Sequence, residues 1–165
     1  PMTSEKELYE PIRNVLERYF CEEAEECFFD VTADYLTERI KEKLADEVLF
    51  FTGDRELRPD IIGYVRVPIG LGIFFLNEFL VVVEVKDGRP SINDIFQAKK
   101  YGELYDAAIS ILVSTEKPEE RVLRLLRRRP TLLSLPISGY ELFIARFLKE
   151  QGIIDWWYPS PPHKG

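Results

Sequence analysis

The stretch FLVVVEVKDG, residues 79–88, decides the fold because it joins a buried strand to two charges at its end. Its run of leucine and valines is typical of a strand whose two faces are both buried. Side chains alternate across a strand, so Glu84 and Lys86 lie on the same face. Charges on the face of a core strand need partners or a function. Either the strand simply leaves the core at Glu84, or Glu84 and Lys86 belong to a site.

The segments around this strand predict an α/β protein with a central mixed sheet flanked by helices. Helical periodicity and capping patterns predict α-helices at residues 4–20, 33–47, 92–106, 117–129 and 139–152. Capping boxes are expected at the start of two of them, between Ser4 and Glu7 and between Ser91 and Asp94. Apolar or β-branched runs predict strands at residues 26–33, 48–51, 58–67, 74–86, 107–114 and 131–137. The order is α-β-β-β-α-β, followed by additional C-terminal helices.

A chain of 165 residues is expected to form one domain, which we place at residues 1–155, with a C-terminal tail at 156–165. No run of about 18 apolar residues predicts a membrane span. The polar start of the chain indicates no secretory signal peptide, so we expect a cytoplasmic protein. The formal net charge of −7 argues against a protein that coats nucleic acid by bulk attraction, although a local basic face stays open.

The few sulfur and imidazole side chains exclude several classes of site. The only histidine of the sequence is His163, so no zinc site of cysteine and histidine ligands can form, and Ser-His or Cys-His catalysis is disfavoured. In a cytoplasmic protein Cys21 and Cys27 are expected to be reduced thiols.

A carboxylate on the preceding strand indicates that Glu84 and Lys86 belong to a metal site. If the two strands pair as neighbours, Asp60 meets Glu84 at one edge of the sheet. Their carboxylates and the backbone carbonyl of Val85 form an oxygen-only ligand set of the kind that holds Mg²⁺ or Mn²⁺. Lys86 would lie beside that site, where a lysine orients water or stabilises phosphate charge.

The next helix adds polar residues to the same region. Gln97 and Tyr101 are four apart and therefore share a helix face, and Lys99 and Lys100 lie between them. An amide, a phenol and two cations can bind a phosphate backbone. The structural alternative is that Gln97 caps the sheet edge while Tyr101 packs in the core.

Taken in order, these motifs resemble the PD-(D/E)XK nuclease superfamily. They are Pro-Asp at residues 59–60, Glu-x-Lys at 84–86 and Gln-x-x-x-Tyr at 97–101. The last motif resembles the RecB-like branch and the archaeal Holliday-junction resolvases. The resemblance implies a restriction-endonuclease-like core and metal-dependent cleavage of DNA phosphodiester bonds. The segment IGLGIFFLNE, residues 69–78, departs from the pattern and implies a wide hairpin or an inserted loop.

The resemblance also implies a role for individual residues. Asp60 and Glu84 correspond to the metal-binding acids, Lys86 to the catalytic lysine, and Gln97 and Tyr101 to an accessory motif near the DNA. Such families often place another acid on the first helix. We favour Glu5 as that ligand and keep Glu10 in reserve, while a plain helix-dipole role for Glu5 stays open.

Two further functions and two further features stay open. The chain can be a non-cleaving module that binds nucleic acid or protein, or a phosphodiesterase acting on RNA or a small molecule. The basic segment RLLRRRP, residues 124–130, either contacts phosphates or complements its own helix dipole. The aromatic run WWY, residues 156–158, stacks on bases, joins a homodimer or pins the tail to the domain.

Overall fold

A six-stranded mixed sheet organises the chain, whose computed structural model describes residues 4–69, 76–134 and 141–163. The strands lie side by side in chain order. The first three pair antiparallel, the third to fifth pair parallel, and the sixth is antiparallel to the fifth. The strands are β1 (Glu26–Val31), β2 (Ile61–Arg66), β3 (Glu78–Lys86), β4 (Ile109–Ser114), β5 (Glu141–Leu148) and β6 (Ile153–Tyr158).

Helices cover both faces of the sheet. They are α1 (Glu5–Cys21), α2 (Glu38–Lys41), α3 (Asp46–Phe51), α4 (Ile92–Leu104) and α5 (Glu120–Arg128), with 3₁₀ turns at Arg55–Leu57 and Pro130–Leu133. The predicted α/β class with a mixed sheet flanked by helices is therefore confirmed.

One face of the sheet packs against α1. Apolar side chains recur every four residues along this helix and so form a single buried stripe, made of Leu8, Ile12, Leu16 and Phe20. That stripe packs on the odd-numbered valines of β3, which are Val81, Val83 and Val85. Because α1 crosses this face, its N-terminal residues reach the end of β3.

The opposite face packs mainly against α4 and α5. Val82 of β3 shares a buried cluster with Tyr101 and Tyr105, and Leu112 of β4 packs with Leu123 of α5. Helix α4 begins with a capping box between Ser91 and Asp94, as its sequence predicts. The charged end of β3 thus emerges between two layers of helices.

The register of β2 and β3 sets the position of the site. Ile61 lies opposite Val83, and the amide of Asp60 donates to the carbonyl of Val83 at 3.1 Å. Extending this ladder by one residue places Asp60 opposite Glu84. The hairpin continues at its other end, where Val67 donates to Asn77 at 2.8 Å. The long connection predicted at residues 69–78 falls largely on residues 70–75, which lie outside the described residues.

Four predictions in the first half of the chain differ from the structure. The run at residues 48–51 was expected to be a strand but belongs to α3. The helix expected at 33–47 is reduced to α2, flanked by turns and α3. Ser4 precedes α1 without a side-chain capping bond, so the capping box expected there does not form. Cys21 and Cys27 form a disulfide, so the prediction of reduced thiols is wrong in this structure.

The C-terminal region differs most from the prediction. The segment expected to form a last helix, residues 139–152, instead contains β5, which pairs with β4 along its length. Strand β6 includes Trp156 and Tyr158, which we expected in the tail. The strand expected at 131–137 begins as a 3₁₀ turn, and residues 135–137 lie outside the described residues. Across the described ranges, no helix combines the length and apolarity needed to cross a bilayer.

Candidate functional site

Asp60 lies at the centre of the candidate site, immediately before β2. Its side chain is 2% exposed, and both carboxylate oxygens have donors. The amide of Val85 donates to Oδ2 at 2.8 Å, and Nη2 of Arg55 donates to Oδ1 at 2.8 Å. The backbone is fixed as well, because Thr32 donates to the Asp60 carbonyl at 2.8 Å. Val85 and Arg55 therefore hold the carboxylate in place, and Thr32 holds the backbone that carries it.

Glu84 is half-buried opposite Asp60. Burial raises the pKa of Glu84 well above its usual range, and a hydrogen bond with Asp60 and the negative charge of Asp60 raise it further. The positive charge of Arg55 acts in the opposite direction. The two carboxyl groups are thus close enough that, without a cation, one of them favours its protonated form.

The backbone of Val85 completes the set of oxygen donors. Its amide points at Asp60, and within a strand the N–H and C=O of one residue point to the same side. Two carboxylates and a carbonyl oxygen are hard ligands, the chemistry that Mg²⁺ and Mn²⁺ prefer. The residues present therefore fit such an ion, which would complete its coordination with water. In the part of the chain that the structure describes, no group of three or more His, Cys, Asp or Glu side chains is arranged to hold a metal.

Lys86 follows Glu84 on the same face of β3. It is half-buried, and its ammonium group has no ion pair or hydrogen bond with the residues that the structure describes. The carboxylate of the next residue, Asp87, by contrast forms an ion pair with Lys149, with Oδ1 and Nζ 3.0 Å apart. A lysine that shares the Glu84 face of the strand and is not tied to another group is available to a ligand.

Helix α1 brings two more oxygen-bearing side chains to this end of the sheet. Glu5 Oε1 accepts from the Asp87 amide at 3.4 Å, whereas Glu10 is paired with Arg13 at 2.9 Å. The structure therefore places Glu5, and not Glu10, beside the end of β3. The hydroxyl of Tyr9 faces Asp60, and burial together with that carboxylate raises the pKa of Tyr9 above its ordinary value.

Gln97 and Tyr101 interact with each other, as their spacing predicts. Gln97 Nε2 donates to the Tyr101 hydroxyl at 2.9 Å, and that hydroxyl donates to the carbonyl of Glu56 at 3.0 Å. Burial, followed by the charge of Glu84, raises the pKa of Tyr101 to about 12, so the phenol stays a donor at neutral pH. The pair therefore anchors the 3₁₀ turn that carries Arg55, in addition to lying near Glu84.

Lys99 and Lys100, which lie between Gln97 and Tyr101 in the sequence, point to different neighbours. Lys100 Nζ donates to the Glu56 carbonyl at 2.8 Å and so supports the same turn as Tyr101. Lys99 Nζ is directed to the carbonyl of Thr131 at 3.4 Å, on the side of the second 3₁₀ turn. Of these two lysines, Lys100 is the one that contacts the turn bordering the candidate site.

Sequence reasoning missed two arginines and a tyrosine. Arg55 binds Asp60 directly, and Tyr9 faces the same carboxylate. Arg58 is 8% exposed and donates to the carbonyls of Ala33 and Thr52, both at 2.8 Å, which fixes the chain just before Asp60. The signal was present as RELRPD, residues 55–60, two arginines leading into an aspartate, but only the fold shows which of them turns inward.

Comparisons with known proteins add no assignment. No protein-family model matches the chain, and no curated protein or solved structure matches it significantly.

Proposed function

We propose that this protein is a nuclease of the restriction-endonuclease-like type that hydrolyses DNA phosphodiester bonds with the help of Mg²⁺ or Mn²⁺. One observation carries the proposal: Asp60 and Glu84 lie opposite each other at the end of the β2–β3 ladder, close enough that the charge of Asp60 acts on Glu84, and Lys86 lies on the Glu84 face. The order of elements supports it: α1 and β1 come first, then the short helices α2 and α3, followed by β2, β3, α4 and β4.

The residues of the site have separate roles in this proposal. Asp60, Glu84 and the Val85 carbonyl would hold the cation. Such an ion supplies Lewis-acid chemistry, lowering the pKa of water and offsetting phosphate charge. Lys86 would orient the attacking water and stabilise the charge that develops on the phosphate oxygens. In hydrolysis the water oxygen bonds to phosphorus, the bond to one ester oxygen breaks, and that oxygen leaves with a proton.

Other residues would act on the substrate or through neighbours. Glu5 lies where it can bind a water beside the cation. Gln97 and Tyr101 would position the turn at Arg55–Leu57 and border the DNA backbone. Lys100 is tied to the same turn, while Lys99 lies further out, where it would bind a phosphate away from the cleaved bond.

The direct test is a cleavage assay with matched lysine variants. Plasmid, single-stranded DNA and RNA are incubated with the protein in Mg²⁺, Mn²⁺ or EDTA. Lys86→Ala should lower the rate by about 10²–10³-fold, the loss typical of one removed charge-stabilising donor. Lys41→Ala is the control, because Lys41 pairs with exposed Glu38 on α2. Cleavage that survives both EDTA and Lys86→Ala would contradict the mechanism.

A non-cleaving module that binds nucleic acid or protein is the second candidate. It is favoured by one observation, that both oxygens of Asp60 already have donors within the chain. It predicts binding to DNA without cleavage of any substrate in any metal. Cleavage confined to RNA would instead support the phosphodiesterase alternative.

A further inference from the structure

The contact between Arg55 and Asp60 places a cation of the chain itself in the candidate metal site. The guanidinium bridges two oxygens, since Nη2 donates to Asp60 Oδ1 at 2.8 Å and Nη1 donates to the Arg58 carbonyl at 2.9 Å. Its charge acts on Glu84 as well as on Asp60. It therefore offsets the repulsion of two neighbouring carboxylates, which is the task that a divalent ion performs in such a site.

The two partners differ in their freedom to move. The Asp60 side chain is 2% exposed, whereas that of Arg55 is 48% exposed. The main chain of the turn is held from α4, because Tyr101 and Lys100 bind the Glu56 carbonyl at 3.0 and 2.8 Å, and Tyr105 binds the Leu57 carbonyl at 2.7 Å. The side chain of Arg55 can thus swing into solvent while the turn stays in place.

We propose that Arg55 is a built-in competitor of the metal: its guanidinium occupies the cation position in the metal-free protein and leaves Asp60 when a divalent ion binds. This inference rests on the proposed function. A carboxylate oxygen that accepts a charge-assisted bond from arginine is less available to a metal, so each binding event includes the cost of breaking that bond. Once displaced, Arg55 remains beside the site as a half-exposed cation able to bind a substrate phosphate.

The test is the affinity of the metal-free protein for Mn²⁺, measured by isothermal titration calorimetry without DNA. Arg55→Gln removes the competing charge and should bind Mn²⁺ about tenfold or more tightly than the wild type, or about 1.4 kcal/mol. Arg55→Lys keeps a charge without the two-pronged geometry and should fall between them. Should Arg55→Gln not fold, Arg55→Lys is compared with the wild type in its place and should bind Mn²⁺ more tightly.

Arg39→Gln is a matched control. Arg39 also pairs with a buried aspartate, Asp30, and its side chain is 54% exposed, but it lies on α2 and contacts β1. Its removal should lower thermal stability and leave Mn²⁺ affinity unchanged. Asp60→Asn identifies the site, because it should abolish binding in both the wild-type and the Arg55→Gln backgrounds.

The outcomes separate the two proposals. Tighter binding by Arg55→Gln with unchanged binding by Arg39→Gln supports the inference. Equal or weaker binding by Arg55→Gln, with binding still lost in Asp60→Asn, overturns the role of Arg55 while the metal site stands. Absence of Mn²⁺ binding in every variant, together with absence of cleavage, overturns the proposed function itself.

Discussion

Asp60 and Glu84 lie opposite each other where the β2–β3 ladder ends, and the negative charge of Asp60 adds to burial in raising the pKa of Glu84. Two acids in this position destabilise the fold unless a proton or a cation separates them. Under the proposed function, this loss of stability is what makes the pair a binding site for a cation.

Replacing one of the two acids should therefore stabilise the metal-free protein. In EDTA at pH 8, Glu84→Gln should raise the free energy of unfolding by about 1 to 3 kcal/mol. The folded-state pKa of Glu84 is raised, so its unfavourable contribution appears only above the unfolded pKa and grows as the pH rises toward the folded one. Urea unfolding from pH 4 to 8 checks this, and a variant less stable than the wild type at pH 8 would contradict it.

Tyr101→Phe should loosen the turn that carries Arg55. The change removes the hydroxyl that donates to the Glu56 carbonyl at 3.0 Å and accepts from Gln97. We expect a loss of about 1 kcal/mol in stability and faster amide exchange at Arg55–Leu57. Tyr35→Phe is the control, because Tyr35 is 68% exposed. Unchanged exchange in the turn would show that Lys100 and Tyr105 hold it without Tyr101.

Gly63→Ala should be destabilising, because Gly63 sits directly against a ring. A Cβ built there would lie 2.3 Å from the ring of Phe29, its partner on β1. Relieving this overlap requires the buried ring to shift, at a cost of about 1–3 kcal/mol. Gly53→Ala meets nothing within 4 Å and should be nearly neutral. Thermal unfolding of the two variants gives the comparison, and equal melting temperatures would contradict the packing described.

Asp30 should make the protein acid-sensitive. Burial alone would raise its pKa, but hydrogen bonds from Arg39 and Thr37 outweigh burial and hold the pKa below its usual value. Because the folded pKa is lowered, this stability is present above the unfolded value of about 3.9 and is lost as the pH falls through the folded one.

Asp30→Asn isolates that contribution. We expect the variant to be about 1 kcal/mol less stable at pH 7, discounted for the exposure of Arg39. The difference in urea unfolding should shrink between pH 5 and about 3. A difference that does not change with pH would mean that Asp30 acts by shape and not by charge.

Reduction should weaken the attachment of α1 to β1. The disulfide joins Cys21, the last residue of α1, to Cys27 across a separation of six residues. For so short a loop the entropic contribution is about 2 kcal/mol. Dithiothreitol should therefore lower the melting temperature of the wild type, while the double variant Cys21→Ser and Cys27→Ser should not respond. A wild type equally stable with and without reductant would contradict this.

The sequence predicted the middle of the chain better than its end. Strand β3 and helix α4 carry local signals, a continuous apolar run and a capping box, that do not depend on distant neighbours. Strand β5 has apolar residues that also suit a helix, and only pairing with β4 decides its conformation. The run at residues 48–51 was too short to distinguish a strand from a helix, and Phe50 is in fact 82% exposed on α3.

In the candidate site, too, the residues predicted from the sequence are those with local signals, and the residues missed depend on tertiary packing. Alternation along β3 put Glu84 and Lys86 on one face, and pairing of adjacent strands was enough to bring Asp60 to Glu84. The contacts of Arg55 and Tyr9 depend on how a 3₁₀ turn and a helix on the other side of the sheet approach that carboxylate. Such approaches are set by tertiary packing, for which a short motif carries no signal.

The single hydrogen bond from the Asp60 amide to Val83 has a consequence for the timing of assembly. Until the last rung of the β2–β3 ladder closes, the oxygen donors belong to separate, solvated pieces of chain with no shared affinity for an ion. Under the proposed function, a newly made chain would thus acquire its affinity for Mn²⁺ only when this hairpin is completed, and Mn²⁺ uptake would report that step of assembly.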